Sequence, residues 1–187
     1  MQASPEGALS KLTRAEQVKE QLRKNFTLDR FKSSYEWRGV IRSAIEGANS
    51  KFGDTQGPDA ETLSKEIVRV SQCYGIDPGV FSALVWRESH FRQKAVSERG
   101  AVGLTQMTQA GVHEVLDRVT IASPRRIQHL RSLVRKCNPQ IFENLPMMVS
   151  ADTVAAWKNN VALSHQTALS LGAILLKINL ADRKSTR

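Results

Sequence analysis

The chain has only two cysteines in 187 residues, Cys73 and Cys137. Two cysteines so far apart exclude the short-spaced clusters of a structural zinc site. They leave two readings open, a disulfide in an oxidising compartment or a pair of buried free thiols. The four histidines, His90, His113, His129 and His165, form no metal-spaced pair on one helix face, so no metal and no other cofactor is expected. No long apolar run occurs, so the sequence predicts no transmembrane segment. Internal repeats and low-complexity segments are absent as well, which removes solenoid architectures.

What remains is an ordinary globular composition, 41% hydrophobic and 24% charged, with a formal net charge of +9. A chain of this length forms one or two domains and can bury most of its apolar surface. The charge points to a polyanionic partner. The basic residues are scattered through predicted helices without any nucleic-acid-binding signature, so no nucleic acid is expected as a partner.

The apolar spacing is helical almost throughout. Leu12, Ala15, Val18, Leu22 and Phe26 mark a lightly amphipathic helix, and Trp37 to Ala48 predicts a second with Val40, Ile41, Ala44 and Ile45 inward. Gly53, Gly57 and Pro58 make Asn49 to Pro58 the best linker. Asp59 or Thr62 then caps a helix with the stripe Leu63, Ile67, Val70 and Tyr74, ended by Gly75. Further helices are predicted from about Pro78 to Phe91, from a Thr108 cap through Val112, Val115, Leu116 and Val119, and from Ser123 to Lys136. Asn138-Pro139 and Leu145-Pro146 are breaks, Ser150 starts a helix through Val154 and Trp157, and a last helix spans about Asn160 to Leu180.

The chemistry concentrates in Arg87-Glu88-Ser89-His90-Phe91 and in the segment Ser97-Glu98-Arg99-Gly100-Ala101-Val102-Gly103-Leu104-Thr105-Gln106-Met107-Thr108. Phe81, Leu84, Val85 and Glu88 share one helical stripe, so Glu88 points where core residues point. Burial there would raise the pKa of its carboxyl, as a general acid at neutral pH requires. The competing reading is a structural Glu88 paired with Arg87 or Arg92.

The block Glu-Ser-x-Phe, a serine nine residues after the glutamate, and Gly-Ala-x-Gly-Leu-x-Gln-Met, with its lead-in Tyr74-Gly75-Ile76-Asp77-Pro78, resembles the catalytic core of the soluble lytic transglycosylases. These are relatives of goose-type lysozyme that cleave peptidoglycan glycan strands. The resemblance runs from about Ser71 to Thr108. It implies a mainly α, lysozyme-like α+β fold with a small β-hairpin flap over Ala95 to Met107, and a bacterial protein of the periplasm or cell envelope. A wall carrying carboxylates and phosphates would suit the positive charge. Met1 to Gly7 lacks the basic and apolar stretches of a secretory signal, so export would need another route or a different start. By the same resemblance Glu88 is the catalytic acid and base, Ser97 and Gln106 bind the glycan, and Thr108 occupies a substrate-contacting position. On their own chemistry, Ser97 also reads as a turn residue, Gln106 as a strand polar group and Thr108 as a helix cap.

The implied reaction cleaves the β-1,4 bond between N-acetylmuramic acid and N-acetylglucosamine, leaving a 1,6-anhydro end. It needs one carboxylate, where classical glycosidases use two. Glu98 is the only nearby candidate for a second, which would make the protein an inverting hydrolase. The stretch Leu171-Gly172-Ala173-Ile174-Leu175-Leu176-Lys177 resembles the family helix that packs under the cleft. The Ala-Tyr-Asn-Ala-Gly motif that usually follows it has no match, which keeps a non-catalytic peptidoglycan-binding protein in view. Asp182 to Arg187 reads like a translated sequencing adapter, so the natural chain is expected to continue beyond Ala181. The expected organisation is an N-terminal helical extension over 1–58, a catalytic domain over 59–181 with a helical insertion at about 120–158, and a non-native tail over 182–187. A monomer is expected.

Overall fold

The computed structural model describes residues 33–52, 57–120, 125–141 and 165–185, with side chains described to residue 119, from 129 to 141 and from 165 to 180. The described residues from Trp37 onward belong to one compact unit, and residues 33–36 to another. Six α-helices are described. The expected helices over Leu12 to Phe26 and through Val154 and Trp157 lie outside the described residues.

Helix α1 (Ser34–Phe52) opens with a capping box. Glu36 N donates to Ser33 Oγ at 3.2 Å while Ser33 N donates to Glu36 Oε2 at 3.1 Å, so two helix-end donors are satisfied reciprocally. Ile41, Ile45 and Ala48 are buried, whereas Val40 and Ala44, expected inward, are exposed. They line an open groove facing a later helix instead of the core. Although the sequence placed this helix in an extension ahead of a linker, its buried residues join the core of the helices that follow.

Helix α2 (Ala60–Cys73) starts at Asp59, whose carboxylate accepts from Thr62 N at 2.7 Å. The stripe Leu63, Ile67, Val70 and Tyr74 is fully buried, as its spacing predicts. Gly75, at φ 61°, reverses the chain so that Ile76 N reaches Ser71 O at 2.7 Å; a left-handed residue after the last turn is glycine's usual place. Helix α3 (Pro78–Ser89) is capped by Asp77 with proline in its first turn. It ends two residues before the expected Phe91, because His90 and Phe91 both take positive φ. That double reversal folds Phe91 back into the core.

Helices α4 (Gln109–Thr120), α5 (Arg125–Cys137) and α6 (His165–Ser185) complete the described chain. Val112, Val115 and Val119 of α4 are buried, and α6 packs on α2, α4 and α5. Val134, Cys137 and Ile141, within the stretch read as an insertion, belong to the same core. Cys73 and Cys137 form a disulfide joining the ends of α2 and α5, which decides between the two readings of the cysteines. Beside it, Arg69 holds the Glu66 carboxylate at 2.6 Å and donates to Cys137 O at 3.1 Å.

The expected β-hairpin flap is not formed as such. Among the described residues there is no strand, and the segment between α3 and α4 holds only two isolated antiparallel bridges, Val96 with Val102 and Val102 with Met107. Gly100, Gly103 and Gln106 all have positive φ, so the chain turns again after every three residues. Strands need longer uninterrupted extension.

Candidate active site

Glu88 lies in the last turn of α3 and is exposed. Its place on the stripe is as read, since Phe81 and Val85 are buried and Leu84 is partly so, but the burial expected for its carboxyl is not there. The stripe overruns the core: helix geometry carries Glu88 one turn past Leu84, and nothing described packs over it. The structural alternative is missing too. Among the described residues Glu88 has no ion pair, and Arg92 directs its Nε to Ser89 O at 3.1 Å.

The residue after Glu88 anchors the site. Ser89 is 1% exposed, and its hydroxyl lies 3.0 Å from Val85 O and 2.9 Å from Leu104 O. The second contact ties the turn segment to the end of α3. On the other side of that segment, Thr105 Oγ1 donates to Ala168 O at 2.9 Å, and Thr105 packs directly against Gly172 of α6. The turn over Gly103 to Gln106 is thus clamped between α3 and α6 by two buried hydroxyls. The sequence pattern contains Ser89 and Thr105 but assigns them no role. Their signal, a small hydroxyl residue among apolar neighbours, points to a local backbone bond but not to its partner.

Gln106, held at φ 46°, donates Nε2 to Ala95 O at 3.1 Å and to Gly103 O at 3.0 Å. Its amide nitrogen braces the loop, which leaves the side-chain carbonyl oxygen as the group free to meet a ligand. Ser97 organises the turn at its other end: Ser97 N donates to Ala101 O at 2.9 Å, and Ala101 N donates to Ser97 Oγ at 3.0 Å. Glu98 sits exposed on that turn. Thr108 is exposed and caps α4, accepting from Gly111 N at 3.1 Å.

The opposite side of α3 carries a separate feature. Trp37, Ala44, Gly79, Ala83, Trp86 and Phe91 line an apolar groove of about 460 Å³ between α1 and α3. The His90 ring sits between Phe52 and Trp86 at its edge, tilted to the first and edge-on to the second, with ring centroids 4.4 and 5.1 Å away. Trp86 and Glu88 are two residues apart, so they project about 200° apart around the helix, and Glu88 does not line the groove. No group of three or more His, Cys, Asp or Glu residues among those described could hold a metal.

No curated protein and no solved structure matches the chain. A family model does: residues 67–132 match the Transglycosylase SLT domain. The matched stretch runs from within α2 to within α5 and contains Glu88, Ser89 and the whole clamped turn. It supports transglycosylase-type action on peptidoglycan, and the family acts in the cell envelope. The match supports, over residues 67–132, the resemblance to an SLT-type lytic transglycosylase domain carried by Glu88-Ser89-His90-Phe91 and Gly100 to Met107.

Proposed function

We propose that the protein cleaves the β-1,4 bond between N-acetylmuramic acid and N-acetylglucosamine in peptidoglycan, with Glu88 as acid and then base. The observation that carries the reading is an unpaired, solvent-facing carboxylate at the end of a capped helix, next to a clamped turn and inside the matched stretch. Protonated Glu88 gives its proton to the glycosidic oxygen as the bond to C1 of the muramoyl sugar breaks. The acetamido oxygen of that sugar bonds to C1 and holds the positive charge. Ionised Glu88 then takes the proton of the C6 hydroxyl, whose oxygen displaces the acetamido oxygen and closes the 1,6-anhydro ring. Glu88 ends protonated, and no water is consumed.

Ser97 and Gln106 are the proposed glycan contacts, through a hydroxyl proton and a side-chain carbonyl oxygen, and Thr108 acts as a cap. The Cys73–Cys137 bridge supports a periplasmic setting, since such bonds persist in oxidising compartments.

Glu88→Gln, nearly isosteric but unable to shuttle a proton, should slow glycan cleavage at least about 100-fold while leaving wall binding intact. Mass spectrometry of digested sacculi should show fragments one water lighter than hydrolytic products. Turnover at the wild-type rate by Glu88→Gln would overturn the assignment. Products with reducing ends alone would make the enzyme a hydrolase, and binding without turnover in the wild type would leave a peptidoglycan-binding protein.

A further inference from the structure

We propose that Ser89 is a positioning residue for Glu88: its hydroxyl fixes the last turn of α3 against the turn over Gly103 to Gln106, and so sets the carboxylate relative to the loop that meets the glycan. The inference rests on Glu88 being the acid and base. Glu88 and Ser89 occupy the final turn of a helix that reverses at His90, and terminal turns have few intrahelical bonds to hold them. The exposed Glu88 side chain gets no help from neighbours, as it has no ion pair among the described residues. Its carboxylate can be no better placed than the turn that bears it.

That turn is held from the buried side. Ser89 has a single hydroxyl proton and two backbone carbonyls within reach, Val85 O at 3.0 Å and Leu104 O at 2.9 Å. Val85 O belongs to the helix and gains only a local bond. Leu104 O belongs to a different segment, on a residue that is itself fully buried. Without the hydroxyl, that carbonyl loses this partner away from water, a costly arrangement, and the turn must shift to recover one. Thr105, the next residue, is fastened to Ala168 of α6, so the turn is held by α6 and the freedom released by losing Ser89 falls on the end of α3. Glu88 moves with it.

A purely structural serine would lower stability and leave the chemistry of the folded molecules unchanged. A positioning serine lowers kcat in molecules that are still folded and still bind. The test uses soluble alternating N-acetylglucosamine–N-acetylmuramic acid oligosaccharides, with wild type, Ser89→Ala, Ser89→Thr, Ser89→Cys and Glu88→Gln assayed well below the lowest melting temperature among them. Ser89→Ala should lose at least about tenfold in kcat with KM within about twofold, since a misplacement on the order of 1 Å can cost ~100-fold. Ser89→Thr, which keeps the hydroxyl, should recover most of the loss. Ser89→Cys, similar in shape with a weaker donor, should fall between threonine and alanine, and it carries the test if the alanine variant does not fold. A wild-type kcat in Ser89→Ala or Ser89→Cys, or a threonine variant no better than alanine at equal folded fraction, would overturn the inference. Retained turnover in Glu88→Gln would instead remove the reading on which it rests, so the two failures are distinct.

Discussion

Reducing the Cys73–Cys137 bridge perturbs the whole candidate site at once, because the loop it closes runs from the end of α2 through α3, the clamped turn and α4 to the end of α5. The two cysteines are 64 residues apart in sequence. In the chain-entropy treatment, a closed loop of that length removes from the unfolded ensemble an entropy equivalent to about 4 kcal/mol at 25 °C. Against a typical domain stability of roughly 5–15 kcal/mol, that loss is large. For a chain of this size each kcal/mol corresponds to roughly 2–4 °C in Tm, so reduction should lower the melting temperature by about 8–16 °C. Because the effect acts on the unfolded chain, the released ensemble should also expose more surface, and the urea m-value should rise as the midpoint falls. The assay is a pair of urea titrations, oxidised and reduced, with mass spectrometry after alkylation confirming two blocked thiols in the reduced sample. Identical midpoints with both thiols blocked would refute the reasoning. An unchanged m-value with a lowered midpoint would place the stabilisation in the folded state instead.

Two further substitutions probe the supports of the site. Gly172→Ala should destabilise even though alanine is the better helix former by about 1 kcal/mol: its Cβ would lie 2.6 Å from Thr105 Cβ, and Thr105 is held in place by Ala168 O. Overpacking of about 1–3 kcal/mol should win, giving a lower urea midpoint; a midpoint above wild type would show that Thr105 gives way freely. At the start of α2, the hydrogen bond from Thr62 N holds the Asp59 carboxyl below its ordinary range, so its contribution is present above the unfolded value, about 4, and is lost as pH falls through the folded one. Asp59→Asn, a neutral cap, should therefore be less stable than wild type at pH 7 and lose that deficit on acidification; a difference independent of pH would refute the charge effect.

The helices were legible because their evidence is local. The stripe of α2, its Asp59 cap and the Gly75 stop can all be read from spacing and residue type, and the structure repeats them. The start of α1 was missed, because its apolar pattern begins only at Trp37, although Ser33 and Glu36 have the capping-box spacing that marks it. What spacing could not give was partnership between distant segments. Val40 and Ala44 have the right period to be buried, but the facing surface across α1 and α3 leaves a groove there. The flap shows the same limit. Its glycines announce turns, yet the third turn depends on Gln106 taking positive φ, which a non-glycine residue rarely does and which the two hydrogen bonds its Nε2 donates to Ala95 O and Gly103 O support.

Glu88 joins both lessons. Periodicity placed it on the buried stripe of α3, and that placement holds for Phe81 and Val85 below it; burial failed only because the helix is longer than the core it covers. The proposed acid and base role needs this arrangement. Were Glu88 one turn earlier, it would replace a core residue and lie out of reach of any substrate; on the opposite face, it would belong to the aromatic groove beside Trp86. At the last turn it is aligned with the core yet open to a ligand, and Arg92, one of the two arginines nearby in sequence, is turned instead to Ser89 O. The carboxylate is thus left unpaired while the backbone beneath it is fastened by Ser89 to Leu104 O. Both observations favour the proposal that this single group gives a proton and takes one back within the same catalytic cycle.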